Sequence, residues 1–100
     1  MEVFLRERYG RYYIFEKELL PEEVVIVELP LILSKHFHYN LGVSSSGKGV
    51  SFFVTYSPYP EKQTSIWTRL SPTSSYKAAR AIKVSNHSAK IQRVCMRIAF

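Results

Sequence analysis

The chain contains no aspartate, one cysteine, and no acidic side chain at all between Lys62 and Phe100. Each absence removes a class of function. Magnesium-dependent nucleases and phosphotransferases hold their metal with carboxylates, Asp prominent among them, and here all eight acids are Glu. Cys95 has no second cysteine to join, so no intrachain disulfide forms and the expectation is a reducing, cytoplasmic setting. Long apolar runs are missing too. The longest, Val24 to Leu33, is ten residues long and broken by Glu28 and Pro30, short of the roughly 20 needed to cross a bilayer. Glu2, Arg6, Glu7 and Arg8 interrupt any apolar stretch near the start, so a secretory leader is not expected, nor a membrane partner.

What the chain does have is segregated charge. Residues 1–28 carry seven Glu against four basic side chains, and residues 29–100 carry ten basic side chains against Glu61 alone. The halves come to −3 and +9, which sum to the net +6. A field that uneven points to an anionic partner: nucleic acid, a membrane surface or an acidic protein. An apolar fraction of 46% across 100 residues suits one folded domain, residues 1–100.

Hydrophobic periodicity predicts the elements. Val3 to Lys17 reads as a hairpin turning at Tyr9-Gly10, pairing Arg8 with Arg11, Arg6 with Tyr13 and Phe4 with Phe15. Leu19 to Glu23 is a break, and Val24 to Leu29 a strand covered on both faces. Leu33, Phe37 and Leu41 recur every four residues and predict a helix over 30–41, followed by a Ser/Gly loop from Val43 to Gly49. Val50 to Tyr56 and Thr64 to Leu70 alternate as a second hairpin, with Val54 facing Ile66 and Phe53 facing Trp67. The alanine-rich stretch from Ser74 to Val84 predicts another helix. Residues 89–99 fit either element, and helix is preferred because Lys90, Arg93 and Arg97 then share the polar side. The expected fold is α+β: an antiparallel sheet of about five strands, one mid-chain helix and a helical C-terminal segment.

Aromatic and basic side chains alternate on the predicted hairpin faces. Single-stranded DNA or RNA is held by flat rings on which bases stack, at roughly 1–3 kcal/mol per base, flanked by cations for the phosphates. Phe4, Tyr13 and Phe15 with Arg6, Arg8 and Arg11 would offer such a surface. Phe53, Trp67 and Arg69 would offer a second, and Lys48, Lys77, Arg80, Lys83, Lys90, Arg93 and Arg97 would supply phosphate contacts. The competing reading is that the rings pack in a core and the arginines reach past them.

Ala78 to Ser85, followed by Ser88 and Ile91, resembles a helix-turn-helix over about twenty residues. The resemblance implies a recognition helix from His87 to Arg97, with Asn86, His87, Lys90 and Arg93 nearest the bases. Two plain helices packed on the sheet account for the same residues and are preferred. The segment Gly42 to Gly49 is similar to a phosphate-binding loop, but no Ser or Thr follows Lys48 and a helix precedes it instead of a strand. His36 and His38 would share a strand face but diverge on the predicted helix, so no metal site is expected. Cys95 lies in an apolar stripe and reads as core. No cofactor is implied, and no Ser, His and acid set has the spacing of a catalytic group.

The reading is therefore a small, intracellular, basic protein that is not an enzyme and binds nucleic acid, single strands ahead of duplex. A homodimer would cover a sheet edge or face. The alternative is a protein–protein module, an inhibitor or adaptor that docks on an acidic surface.

Overall fold

The computed structural model describes residues 2–4, 8–9, 12–29, 39–57, 60, 62–70, 73–76 and 80–99. Among the described residues ten strands occur: β1 (Glu2–Phe4), β2 (Arg8–Tyr9), β3 (Tyr12–Leu19), β4 (Val24–Glu28), β5 (Tyr39–Ser45), β6 (Val50–Thr55), β7 (Thr68–Arg69), β8 (Thr73–Tyr76), β9 (Ala81–Asn86) and β10 (Gln92–Ala99). They form two five-stranded sheets, ordered β1-β4-β9-β6-β7 and β2-β3-β10-β5-β8. Apart from the parallel β1–β4 pair, the ladders are antiparallel. Among the described residues there is no helix.

One core lies between the sheets. The first contributes Val25, Val27, Val54, Ile82 and Val84, and the second Tyr13, Leu19, Val94, Met96 and Ile98. Alternation explains the assignment. Along β10, Val94, Met96 and Ile98 are at most 1% exposed, while Arg93 and Arg97 on either side of them in the alternation face outward. Burying each such side chain contributes about 1.5–3 kcal/mol, and only a strand puts all three on one side.

The expected α+β fold is thus corrected to all-β over the described residues. The helix predicted over 89–99 is β10, the centre of its sheet, hydrogen-bonded to β3 on one side and β5 on the other. The helix predicted over 74–84 is divided between β8 and β9. Helix propensity of the alanines is a weak preference, and burial of Ile82 and Val84 on one strand face outweighs it. The same residues end the helix-turn-helix reading. Residues 30–38 of the third predicted helix lie outside the described residues, and 39–41 belong to β5.

The strands that were expected differ in register. In the first hairpin Arg8 pairs with Tyr13 and Tyr9 with Tyr12, two residues from the predicted alignment, and Phe4 pairs with Glu28 in the other sheet. In the second, Phe53 meets Arg69 and Val54 meets Thr68, again a shift of two. A two-residue slip preserves which side chains share a face. Val24 to Leu29 does form a strand, but it is covered on one face: Val25 and Val27 are fully buried, whereas Val24 is 42% exposed.

Candidate functional site

Three connections cross between the sheets at the same end of the molecule: Leu20–Glu23 from β3 to β4, Ser46–Gly49 from β5 to β6, and His87–Ile91 from β9 to β10. Their proximity follows from register. The start of β10 pairs with the ends of β3 and β5, and the end of β9 pairs with the starts of β4 and β6.

Two buried amides join the connections. Asn86, 1% exposed, directs its Nδ2 at the carbonyls of Leu19 and Leu20, each at 3.1 Å, and of Lys90 at 2.9 Å. Its Oδ1 accepts from the Ser88 backbone N–H at 3.0 Å and lies 2.7 Å from the Ser88 hydroxyl. Its backbone adds two more ties, donating to the Glu23 carbonyl and accepting from the Glu22 N–H. Gln92, 6% exposed, donates from Nε2 to the Lys48 carbonyl at 3.2 Å and to Ser88 Oγ at 3.2 Å. Its Oε1 accepts from the Ser46 hydroxyl at 2.9 Å, and that hydroxyl oxygen accepts the Arg93 N–H at 2.9 Å. Among the described residues no buried side-chain polar atom lacks a partner, so the loop end is held rigid rather than merely crowded.

Two residues here adopt left-handed backbone. Gly49 has φ +95°, and a Cβ on it would sit 3.0 Å from the Ser88 Cβ, so both conformation and closeness demand glycine. Glu22 has φ +66° without being glycine, at the tip of the turn that donates to Asn86.

The result is an open groove of about 460 Å³ between the Ser46–Gly49 and His87–Ile91 connections. Lys48 and Lys90 line it together with Ser46, Ser88 and Gln92. Ile91 on its rim is 58% exposed, as is Leu20 on the far side of Asn86. The nearby acid Glu23 is engaged internally, accepting the Leu20 N–H at 2.9 Å and lying 3.8 Å from Lys17 Nζ. Glu22 is exposed beside it.

The predicted binding residues fall on separate surfaces. Lys48 and Lys90 meet at the groove. Phe53, Trp67, Arg69 and Lys83 gather on the outer face of the first sheet, where Lys83 Nζ lies 4.7 Å from the Trp67 ring centroid and 5.6 Å from that of Phe53. Arg93 and Arg97 project from the outer face of the second sheet, and Arg80 is half-buried between strands. Tyr13 is 6% exposed and Phe15 packs on the core, so these two rings offer no stacking surface. Arg6, Arg11 and Lys77 lie outside the described residues, as do the side chain of Arg8 and the residues His36 and His38. Among the described residues no cluster of His, Cys or Glu could hold a metal. Cys95 is half-exposed on the outer face of β10 instead of in the core. Burial and then the neighbouring Glu16 carboxylate push its thiol pKa up.

Asn86, Ser88 and Gln92 were not anticipated as the organisers of this end. The Ser85-Asn86-His87-Ser88 string does carry a signal, since Asn side chains close turns by bonding backbone two residues on. Nothing in the sequence says that the same amide also reaches Leu19.

No family model matches the chain, and no curated protein matches it. Solved structures do. A mutant of PliG from Escherichia coli, described as a periplasmic lysozyme inhibitor of g-type lysozyme, superposes with a TM-score of 0.57 over 97% of this chain and 96% of that one, at 16% identity. PliG from Salmonella Typhimurium, described in the same words, gives 0.56 over 98% and 96%, at 11% identity. Likeness at such identity is likeness of fold. It corrects two expectations nonetheless. This fold serves periplasmic proteins, and a single thiol is compatible with either compartment, so the step from Cys95 to an intracellular, cytoplasmic setting does not hold. The nucleic-acid reading is not the one these findings favour: both neighbours are described as inhibitors, which agrees with the alternative, a protein–protein module, and of the two predicted stacking surfaces only Phe53, Trp67 and Arg69 come together, while the first loses Tyr13 and Phe15 to the core.

Proposed function

We propose that this chain is a protein-binding module of the inhibitor type, acting outside the cytoplasm, and that its target is a lysozyme. The observation that carries the reading is the hydrogen-bonded three-loop end, which holds Ile91, Leu20, Lys48 and Lys90 in place before any partner arrives. Preorganised loops lose little conformational entropy on binding, so more of the contact energy becomes affinity. The chemistry of the target fits the surface. Glycoside hydrolases work with a pair of carboxyl groups flanking the scissile bond, which makes their clefts acidic, and the groove here is edged by two lysines. Complementary charge speeds encounter and sets register, while burial of Ile91 and Leu20 supplies affinity at about 1.5–3 kcal/mol each. The module itself performs no chemistry; it occupies the cleft. The two inhibitors with this fold, directed at g-type lysozyme, support the choice of target class.

The test is lysis of a cell-wall suspension by a g-type lysozyme, with the protein titrated in. Inhibition that saturates near one equivalent is expected. Ile91→Glu and the double change Lys48→Glu/Lys90→Glu should each raise the inhibition constant at least about tenfold while leaving the melting curve in place. Full lysozyme activity under a hundredfold excess of folded protein would remove this reading.

A further inference from the structure

The outer face of the second sheet carries charge in two adjacent stripes. On β3 the outward residues are Ile14, Glu16 and Glu18, and on β10 they are Arg93, Cys95 and Arg97. The neighbouring β5 adds only Gly42 and Ser44 among its described outward side chains, which keeps that flank low. Arg93 stands directly across from Glu18, yet its guanidinium turns diagonally to Glu16 at 3.0 Å. The Glu18 carboxylate is left exposed, with no side-chain hydrogen bond or ion pair among the described residues.

We infer that this face binds a second copy of the chain, related by a twofold axis that runs parallel to the strands between β3 and β10. Such an axis lays β3 of each copy over β10 of the other without changing height along the strand. Arg93 of one copy then covers Glu18 of the other, twice, and each Glu16 faces a Cys95. Sheets pack face to face about 10 Å apart, a gap that Arg and Glu side chains span together. The perpendicular twofold, through Cys95, would stack Arg93 on Arg97 and is repelled. The favoured arrangement also keeps the two Cys95 residues apart, since they lie on opposite sides of the axis and on different sheets. With the axis between β3 and β10, β3 overlaps β10 and the short β2 overlaps β5 while β8 overhangs, so the two long strands supply about 10 by 27 Å, roughly 300 Å² per copy, a small contact of the weak, transient kind. Association is therefore weak and salt-sensitive. Because the axis follows the strands, both three-loop ends emerge on the same side of the dimer. Two such ends side by side would engage a crowded target with avidity.

Sedimentation equilibrium on the intact chain tests this inference independently of any lysozyme. The wild type should dimerise weakly, with a dissociation constant on the order of 100 µM in dilute salt, and weaken about tenfold at roughly 0.5 M salt. Glu18→Lys and Arg93→Glu should each stay monomeric, because each sets like charges against one another at both symmetry-related contacts. Mixed in equal amounts, the two variants should form a heterodimer. At one contact the introduced lysine of the first variant meets the introduced glutamate of the second, and at the other the native Arg93 meets the native Glu18 — an outcome that a folding defect cannot imitate. A wild type monomeric at several hundred micromolar, or a mixture of folded variants that fails to associate, would overturn the proposal. So would ready oxidation to a Cys95–Cys95 crosslinked dimer, which requires the perpendicular axis.

Discussion

The Asn86 carboxamide donates to the Leu19 carbonyl at 3.1 Å, across 67 residues of chain. The same nitrogen reaches Leu20 and Lys90, so one buried side chain joins the end of β3 to the connection that precedes β10. Replacing it with alanine leaves those carbonyls facing a void, and each unsatisfied buried group costs about 1–3 kcal/mol. Asn86→Ala should lower unfolding stability by about 3 kcal/mol in a urea titration and raise amide exchange in both connections. A loss below about 1 kcal/mol would mean the network contributes no rigidity, and the loop-based reading would lose its support.

Backbone strain at the same end gives two changes of opposite sign. Gly49→Ala combines a left-handed φ with a 3.0 Å approach to Ser88 and should cost about 2 kcal/mol. For a chain of this size that corresponds to roughly 10 °C in melting temperature. Glu22→Gly relieves a strain of about 1–2 kcal/mol but adds freedom to the unfolded chain worth about 0.4–1 kcal/mol. The net should lie between zero and about 1.6 kcal/mol of stabilisation. Thermal melts of the two variants read both, and a destabilised Glu22→Gly would contradict the assignment.

Lys83 lies closer to the indole of Trp67 than to the ring of Phe53, and Trp67 is the sole tryptophan of the chain. Partly exposed cation–π contacts contribute about 0.5–1 kcal/mol. A double-mutant cycle of Lys83→Met and Trp67→Leu, followed by circular dichroism in urea, should return a coupling of that size. Lys83→Met alone should also alter the emission of Trp67. Unchanged emission would indicate that the ammonium leaves the ring in solution.

Cys95 gives a prediction in pH. Burial first, then the Glu16 carboxylate, raise its thiol pKa in the folded state, so the folded chain holds that proton more tightly than the unfolded chain does. The associated stability is complete below the ordinary thiol range and is lost as pH rises through the elevated folded value. Cys95→Ser should therefore flatten the alkaline fall in stability while changing little at neutral pH. At about pH 8 the thiol should react with a disulfide reagent more slowly than free cysteine does. Glu16→Gln should speed that reaction, and an unaltered rate would deny Glu16 its part.

Some of the architecture was legible in the residues. The break at Leu19 to Glu23, the β4 strand and most of β6 follow from β-branched alternation between turn formers. In the second hairpin the misplaced register kept its faces, because side chains repeat every two residues and the slip was by two, whereas in the first Phe4 left the pairing for the other sheet. The helices assigned to 74–84 and 89–99 failed for a common reason. Short apolar stretches satisfy both periods, and local propensity cannot weigh a partner strand it does not see. Val94, Met96 and Ile98 became a strand because β3 and β5 lie on either side of them.

The sequence by itself determined the excess of positive charge, the absence of a disulfide within the chain, and the alternation that makes sheet faces. Tertiary structure alone decided which cations meet. Lys48 and Lys90 share a groove, while Arg93 stands on another surface only three positions further along, because a strand sends successive side chains to opposite faces and the connections exchange sheets. Position along the chain carries charge, but the pairing of distant strands, held by hydrogen bonds such as that from Asn86 to Leu19, converts it into a surface.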